Sequence, residues 1–170
     1  MVRLRRSVVA VLVVLVSACA QEHSETPEVE EPESAPPSDE ELALEAYEGM
    51  WDVYIEASQE GEAAPSDLER YAMGQAAEHI LGTLSERAEA GEVALGRPEI
   101  SPDVGDVGDT EIVIDDCVDS SEWLRGDAES GEALEDDPTE PLMRRVEATV
   151  VYDGLAWRVE EFLIGQRDSC

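Results

Sequence analysis

The stretch that decides the fold is RRVEATVVYDGLAWRVEEFLI, residues Arg144 to Ile164. In its first half Val146, Ala148 and Val150 alternate with Glu147 and Thr149. A period of two is that of a strand with one face in a core. Asp153-Gly154 then divides two β-rich runs, and a two-residue Asp-Gly turn of the type I′ kind joins antiparallel strands because its twist matches theirs. The spacing predicts a hairpin in which Val150 faces Trp157, Ala148 faces Val159 and Val146 faces Glu161. Glu161 would then share the apolar face of Trp157 and Val159. Glu111 to Val118 is β-branched and predicts another strand, and Ser121 to Arg125 predicts a shorter one ahead of a turn at Ser130-Gly131.

Toward the N-terminus the period changes. Ser38-Asp39-Glu40-Glu41 has the form of a capping box, with Ser38 as N-cap and Glu41 reaching back. Leu44, Tyr47, Trp51, Tyr54 and Ile55 follow at spacings of three and four, one face of a helix ending near Ser58. Ser66-Asp67-Leu68-Glu69 predicts a second helix start, with Leu68, Ala72, Ala76, Ile80 and Leu84 facing inward and Gly91 closing the helix. Helices first and strands after predict an α+β domain, its N-terminal helices packed on an antiparallel sheet.

Before the helices come Arg3, Arg5 and Arg6, then an apolar run from Val8 to Val16. Crossing a hydrocarbon core takes about 20 residues. The run is shorter, and a basic start, a short apolar region and small residues describe an export signal. Val16-Ser17-Ala18-Cys19 resembles the lipobox of bacterial lipoproteins. That resemblance implies cleavage before Cys19, a diacylglycerol on its sulfur, and anchoring to membrane lipid on the extracytoplasmic face. An ordinary secretory signal with an incidental cysteine is the alternative. The reading divides the chain into a signal peptide (1–18), a lipidated cysteine with an acidic tether (19–37) and a folded domain (38–170). The tether, rich in Glu and Pro with no aromatic residue, cannot bury enough apolar surface to fold. Extended, it spans about 50 Å.

The chain holds 42 acids against 11 basic residues, a formal charge of −31. Nucleic acid and anionic membrane surfaces repel such a chain, which excludes nucleic acid as a partner. Lys and Asn are both absent. A high-GC coding sequence explains this, and adaptation to salt is a second explanation of the acidity. With Cys19 assigned to lipid, Cys117 and Cys170 are left in an oxidising compartment, which reads as a disulfide. The competing metal or redox pair has no CxxC spacing behind it.

Tyr47-Glu-Gly-Met-Trp51, Tyr71-Ala-Met-Gly-Gln75, Asp116-Cys-Val-Asp-Ser-Ser-Glu-Trp123, Trp157-Arg-Val159 and the final cysteine together resemble a group of actinobacterial lipoproteins. Their domain is similar to the nuclear transport factor 2-like cone fold, shared with ketosteroid isomerases and polyketide cyclases. The resemblance spans about residues 40–170. It implies a curved, cone-like sheet around the helices, a pocket at the open end, and pairing of Cys117 with Cys170. It implies no activity, because that fold hosts both enzymes and non-catalytic domains.

HExxH, GxSxG, the GK[ST] phosphate loop and paired-Cys zinc spacing are all missing, so no metal or cofactor is expected. His23 falls in the tether, and His79 borders the inner face of the second helix, where a half-buried structural histidine is the plain reading. Glu161 is the catalytic candidate. An acid on an apolar face has its pKa raised unless a base pairs with it, and Arg144 is the next residue along that face. A bulge turning Glu161 outward, or a structural pair with Arg144, is the competing reading. Tyr47, Trp51 and Tyr54 form an aromatic stripe that suits either a pocket or simple core packing. With His79, Arg144 and Trp157 they make up the candidate pocket lining. Asp103, Asp106 and Asp109 recur every third residue, unlike a calcium loop, and read as a solvated acidic loop.

The sequence thus points to a lipid-anchored, non-catalytic binding or interaction module of the cell envelope, its partner a small apolar ligand or a cell-surface protein. The alternative is an isomerase- or cyclase-like enzyme with Glu161 as general base. A cation-responsive surface protein is a third, weaker reading.

Overall fold

A computed structural model describes residues 35–135, 142–167 and 169–170. The expected signal peptide, Cys19, His23 and most of the expected tether lie outside the described residues. The helix α1 (Asp39–Glu60) starts as its sequence requires. The Glu41 amide donates to Ser38 Oγ at 3.3 Å, and the Ser38 amide donates to Glu41 Oε2 at 2.7 Å. Asp39, Glu40 and Glu41 also meet the positive end of the helix dipole. Gly61, at φ 71°, closes α1 in the left-handed conformation that favours glycine.

The second helix starts later than its capping-box signal predicts. Leu68–Arg70 is a single 3-10 turn closed by Tyr71, Ala72 bridges to Val159, Met73 is extended, and α2 spans Gly74–Ala90. The reason lies far away in sequence. The Val159 amide donates to the Tyr71 carbonyl and the Met73 amide donates to the Val159 carbonyl, both at 2.8 Å. The Gln75 side chain then grips the Phe162 backbone, accepting from its amide at 2.7 Å and donating to its carbonyl at 3.4 Å. Residues 71–75 therefore cover a strand edge, with 71–73 held out of the helix, and an uncovered edge would invite pairing with other chains. Leu68, Ala72, Ala76, Ile80 and Leu84 are all buried, as the periodicity predicts, although only the last three are helical.

Six strands complete the α+β fold: β1 (Glu92–Gly96), β2 (Asp103–Val107), β3 (Glu111–Asp119), β4 (Trp123–Asp127), β5 (Met143–Tyr152) and β6 (Trp157–Arg167). An antiparallel sheet runs in the order β2-β3-β5-β6, and β1 pairs with β4 in a two-stranded one. The described strands form no closed barrel. The core lies between the helices and the larger sheet, with Tyr47, Met50, Ile80, Ile112, Ile114, Val150 and Phe162 inaccessible or nearly so.

The β5–β6 hairpin departs from its predicted register. Tyr152 pairs with Trp157, so the connection is a four-residue loop, not a two-residue turn. Asp153 Oδ1 accepts from the Leu155 and Ala156 amides at 2.8 and 2.9 Å, and Arg158 closes on its other oxygen. Farther along, Val150 pairs with Val159 but Thr149 with Glu161, leaving Glu160 as an extra, bulged residue. The bulge sits where Gly74 (φ 53°) approaches so closely that a Cβ there would lie 3.3 Å from the Glu160 carbonyl oxygen.

Cys117 and Cys170 form a disulfide, Cα to Cα 6.0 Å. Cys117 pairs in register with Arg145, whose amide donates to Ser169 Oγ at 2.8 Å, so the last residues hook back onto β5 and β3.

Candidate functional site

A cavity of about 340 Å³ opens where α1, α2, β4 and the Arg144 end of β5 meet. Such a volume is at the small end of ligand pockets. Its apolar side is aromatic. Trp51 and Tyr54, one turn apart on α1, converge with Trp123 of β4, with ring centroids 5.4 to 5.9 Å apart. Val146 and Ile164 continue the wall from the sheet, and Leu124 and Leu142 form a half-exposed apolar rim.

The polar side comes from three elements. His79, Thr83 and Arg87 stand at four-residue spacing on α2, and Arg125 and Arg144 reach in from β4 and β5. The Arg87 guanidinium lies 5.1 Å over the Trp123 ring, a cation–π distance. Burial pushes the Tyr54 phenol's pKa up, while the Arg87 charge and a hydrogen bond with Thr83 pull against that rise. Arg125 also pairs with Glu92 at 3.3 Å. The Trp123 indole N–H is buried and has no hydrogen-bond partner among the described residues. No carboxylate is among the described residues that line the cavity.

Four of the predicted lining residues meet there: Trp51, Tyr54, His79 and Arg144. His79 is exposed, not half-buried, because it stands one position off the Ala76–Ile80–Leu84 face. Tyr47 does not line the cavity. It is inside the core, donating to Asp116 Oδ2 at 2.8 Å while Asp116 Oδ1 accepts from the Ser101 amide at 2.8 Å. Burial foremost, and the Asp116 charge next, push the Tyr47 phenol's pKa far up. This pair fixes α1 to β3. Trp157 stands at the other end of β6, roughly 20 Å from Ile164 at about 3.3 Å per residue. There it lines a wider hollow of about 650 Å³ with Tyr71, Tyr152 and Leu155, and its indole donates to Asp39 at 3.3 Å.

Glu161 does not reach either cavity. It is exposed, because the bulge at Glu160 returns Phe162 to the core and leaves Glu161 opposite Thr149 on the outer face. Val146 faces Ile164 instead, and Arg144 pairs in register with Arg167. The sequence reading also missed Thr83, Arg87, Trp123 and Arg125. The spacing of His79, Thr83 and Arg87 was the available signal. Asp103 and Asp106 are on the edge strand β2, not in a loop, and no cluster able to hold a metal is found among the described residues.

No family model matches the chain, and no curated protein matches it. Among solved structures it is similar to the crystal structure of the intermembrane space region of the chloroplast protein ARC6, with a TM-score of 0.55 and 13% identity over 77% of this chain and 99% of that one. At that identity the likeness is one of fold alone.

Proposed function

We propose that this protein is a lipid-anchored, extracytoplasmic binding module of the bacterial cell envelope, non-catalytic, which holds a small ligand in the aromatic cavity between α1, α2 and β4. The observation that carries the reading is the cavity itself: three aromatic rings in edge and tilted contact at its base, polar groups from α2, β4 and β5 at its side, and an apolar rim. Ligand sites combine an apolar lining with a few placed polar groups in this way. The disulfide fits an oxidising compartment. Among the described residues no helix is long and apolar enough to cross a membrane; the anchor in this reading is an acylated Cys19. Acyl chains contribute about 0.8 kcal/mol per buried CH2, enough when two or more are attached.

The enzyme alternative loses its named base, since Glu161 faces away from the cavity. Two measurements test the proposal. Native mass spectrometry of the chain extracted from its own membranes should show an added mass that leaves on denaturation, and loses occupancy in Trp123→Ala. A bare chain in every preparation counts against a held ligand. Cys19→Ser should move the protein from the membrane fraction to the soluble one, and an unchanged distribution would refute the anchor.

A further inference from the structure

Leu155 is 90% exposed, the most exposed large apolar side chain among the described residues. It stands on the β5–β6 loop beside Tyr152, itself 44% exposed. The loop that presents them is held closed. Asp153 Oδ1 accepts from the Leu155 and Ala156 amides, Arg158 donates to the other oxygen, and the Asp153 amide donates to the Ala156 carbonyl at 3.2 Å. An apolar tip whose backbone groups are already bonded enters a lipid headgroup layer with few of them left unpaired. Tyrosine, apolar with a polar end, suits that layer.

The domain begins at the same end. Trp157, at the base of the loop, donates to Asp39 in the first turn of α1, and Leu42 shares the wide hollow with Tyr152 and Leu155. In the anchored reading the chain from Cys19 to Ser38 spans about 50 Å at full stretch. A tether of that kind holds what it links at an effective concentration on the order of millimolar, so a weak contact suffices. Resting on that anchored reading, we infer that the Tyr152–Leu155 loop and the hollow behind it dock on the surface of the bilayer that holds the anchor. The surface they fit is one of low charge. Glu45 and Glu69 line the hollow, and Asp39, Glu40 and Glu41 stand at the start of α1, so anionic lipid is disfavoured and zwitterionic headgroups are accepted. The same acids disfavour a second copy, because a two-fold contact sets like charges face to face. Docking by this end leaves the aromatic cavity at the end of β6 remote from the membrane, roughly 20 Å along the strand.

The test puts a reporter at the tip. The acylated chain carrying Leu155→Trp is reconstituted into phosphatidylcholine vesicles with and without dibrominated acyl chains, which quench indoles that reach the bilayer. Leu163→Trp, at a position 51% exposed toward the other end of β6, is the reference, and the quenching of the unaltered chain is subtracted from both. The indole introduced at the tip should be quenched at least threefold more than the reference, with its emission shifted to the blue. Replacing half of the lipid by phosphatidylglycerol should lower that quenching at least twofold. Quenching no greater at the tip than at the reference, in chains that float with the vesicles, overturns the docking face and leaves the anchor standing. A blue shift without bromine quenching means that protein covers the tip and overturns the lipid surface as its occupant. Quenching that rises with phosphatidylglycerol overturns the low-charge surface. A chain that does not float with the vesicles refutes the anchored reading and this inference with it.

Discussion

In the wide hollow beside the β5–β6 loop, the fold uses the arginines. Arg158 donates to Asp153 and, at 3.1 Å, to the Glu69 carbonyl, and Arg70 lies 5.3 Å over the Tyr71 ring. Glu45, Glu69 and Asp153 share that wall with them. In the smaller cavity the arginines arrive from three separate elements and stand beside the Trp51, Tyr54 and Trp123 rings. Charge in the first hollow therefore holds a hairpin in place. In the second, Arg87 lies over the Trp123 ring in the cavity wall and Arg125 pairs with Glu92. If that contrast is right, substitutions around the first should move stability, and arginine substitutions in the second should move binding.

The largest expected effect touches neither hollow and sets the scale. Cys117→Ala with Cys170→Ala opens a loop of 53 residues. In the chain-entropy model that costs about 4 kcal/mol, read as a lower urea midpoint. Because the bridge joins the outer face of β3, native mass spectrometry well below the new melting point should show the same occupancy of the smaller cavity as in the unaltered chain. Next comes Gly49→Ala. A Cβ there would lie 2.4 Å from the ring of Tyr71, which lines the wide hollow. Overpacking of that kind costs about 1–3 kcal/mol, against a gain of about 1 kcal/mol from helix propensity. The net is a loss of stability, measured by urea titration, with the smaller cavity unaffected.

A pH titration of stability sharpens the contrast further. The Ala156 and Leu155 amides, and then Arg158, hold the Asp153 carboxyl down to about 2, below its ordinary 3.8. A group lowered on folding stabilises the fold above its unfolded pKa and loses that contribution as pH falls through the folded one. The melting temperature should therefore drop between about pH 4 and pH 2. Asp127, lowered by its Ser130 hydrogen bonds, contributes in the same range, so Asp153→Asn should flatten the drop without abolishing it. A slope unchanged in Asp153→Asn would remove the hairpin role. The smallest expected stability effect is that of Arg87→Gln, whose cation–π contact is worth about 0.5–1 kcal/mol. A larger loss in urea would make Arg87 a structural residue and erase the contrast between the hollows.

Local rules made much of the fold legible. The capping box at Ser38, the glycine stop at Gly91, the β-branched run of β3 and the pairing of Cys117 with Cys170 all stand where the sequence puts them. What was illegible depends on contacts distant in sequence. The bulge at Glu160 and the late start of α2 are two sides of one meeting between residues 71–75 and β6, and neither segment shows it alone. The short strands β1 and β2 carry acids and glycines that lower β propensity, and only pairing with β4 and β3 makes them strands. The aromatic half of the cavity was half readable, since Trp51 and Tyr54 lie on a helical stripe. Of its cationic half only Arg144 was readable, because Arg87 and Arg125 are far from it in the chain until the fold gathers them.

The placement of the three tryptophans gives the protein its own optics. Trp51 and Trp123 stand with ring centroids 5.9 Å apart in the wall of the smaller cavity, close enough to share excitation. Trp157 is hydrogen-bonded to Asp39 at the far end of β6. A molecule entering the cavity changes the emission of two indoles and leaves the third as a reference. Occupancy can thus be followed by ultraviolet fluorescence on the unlabelled chain, with Trp157→Phe as the variant in which all the light comes from the site.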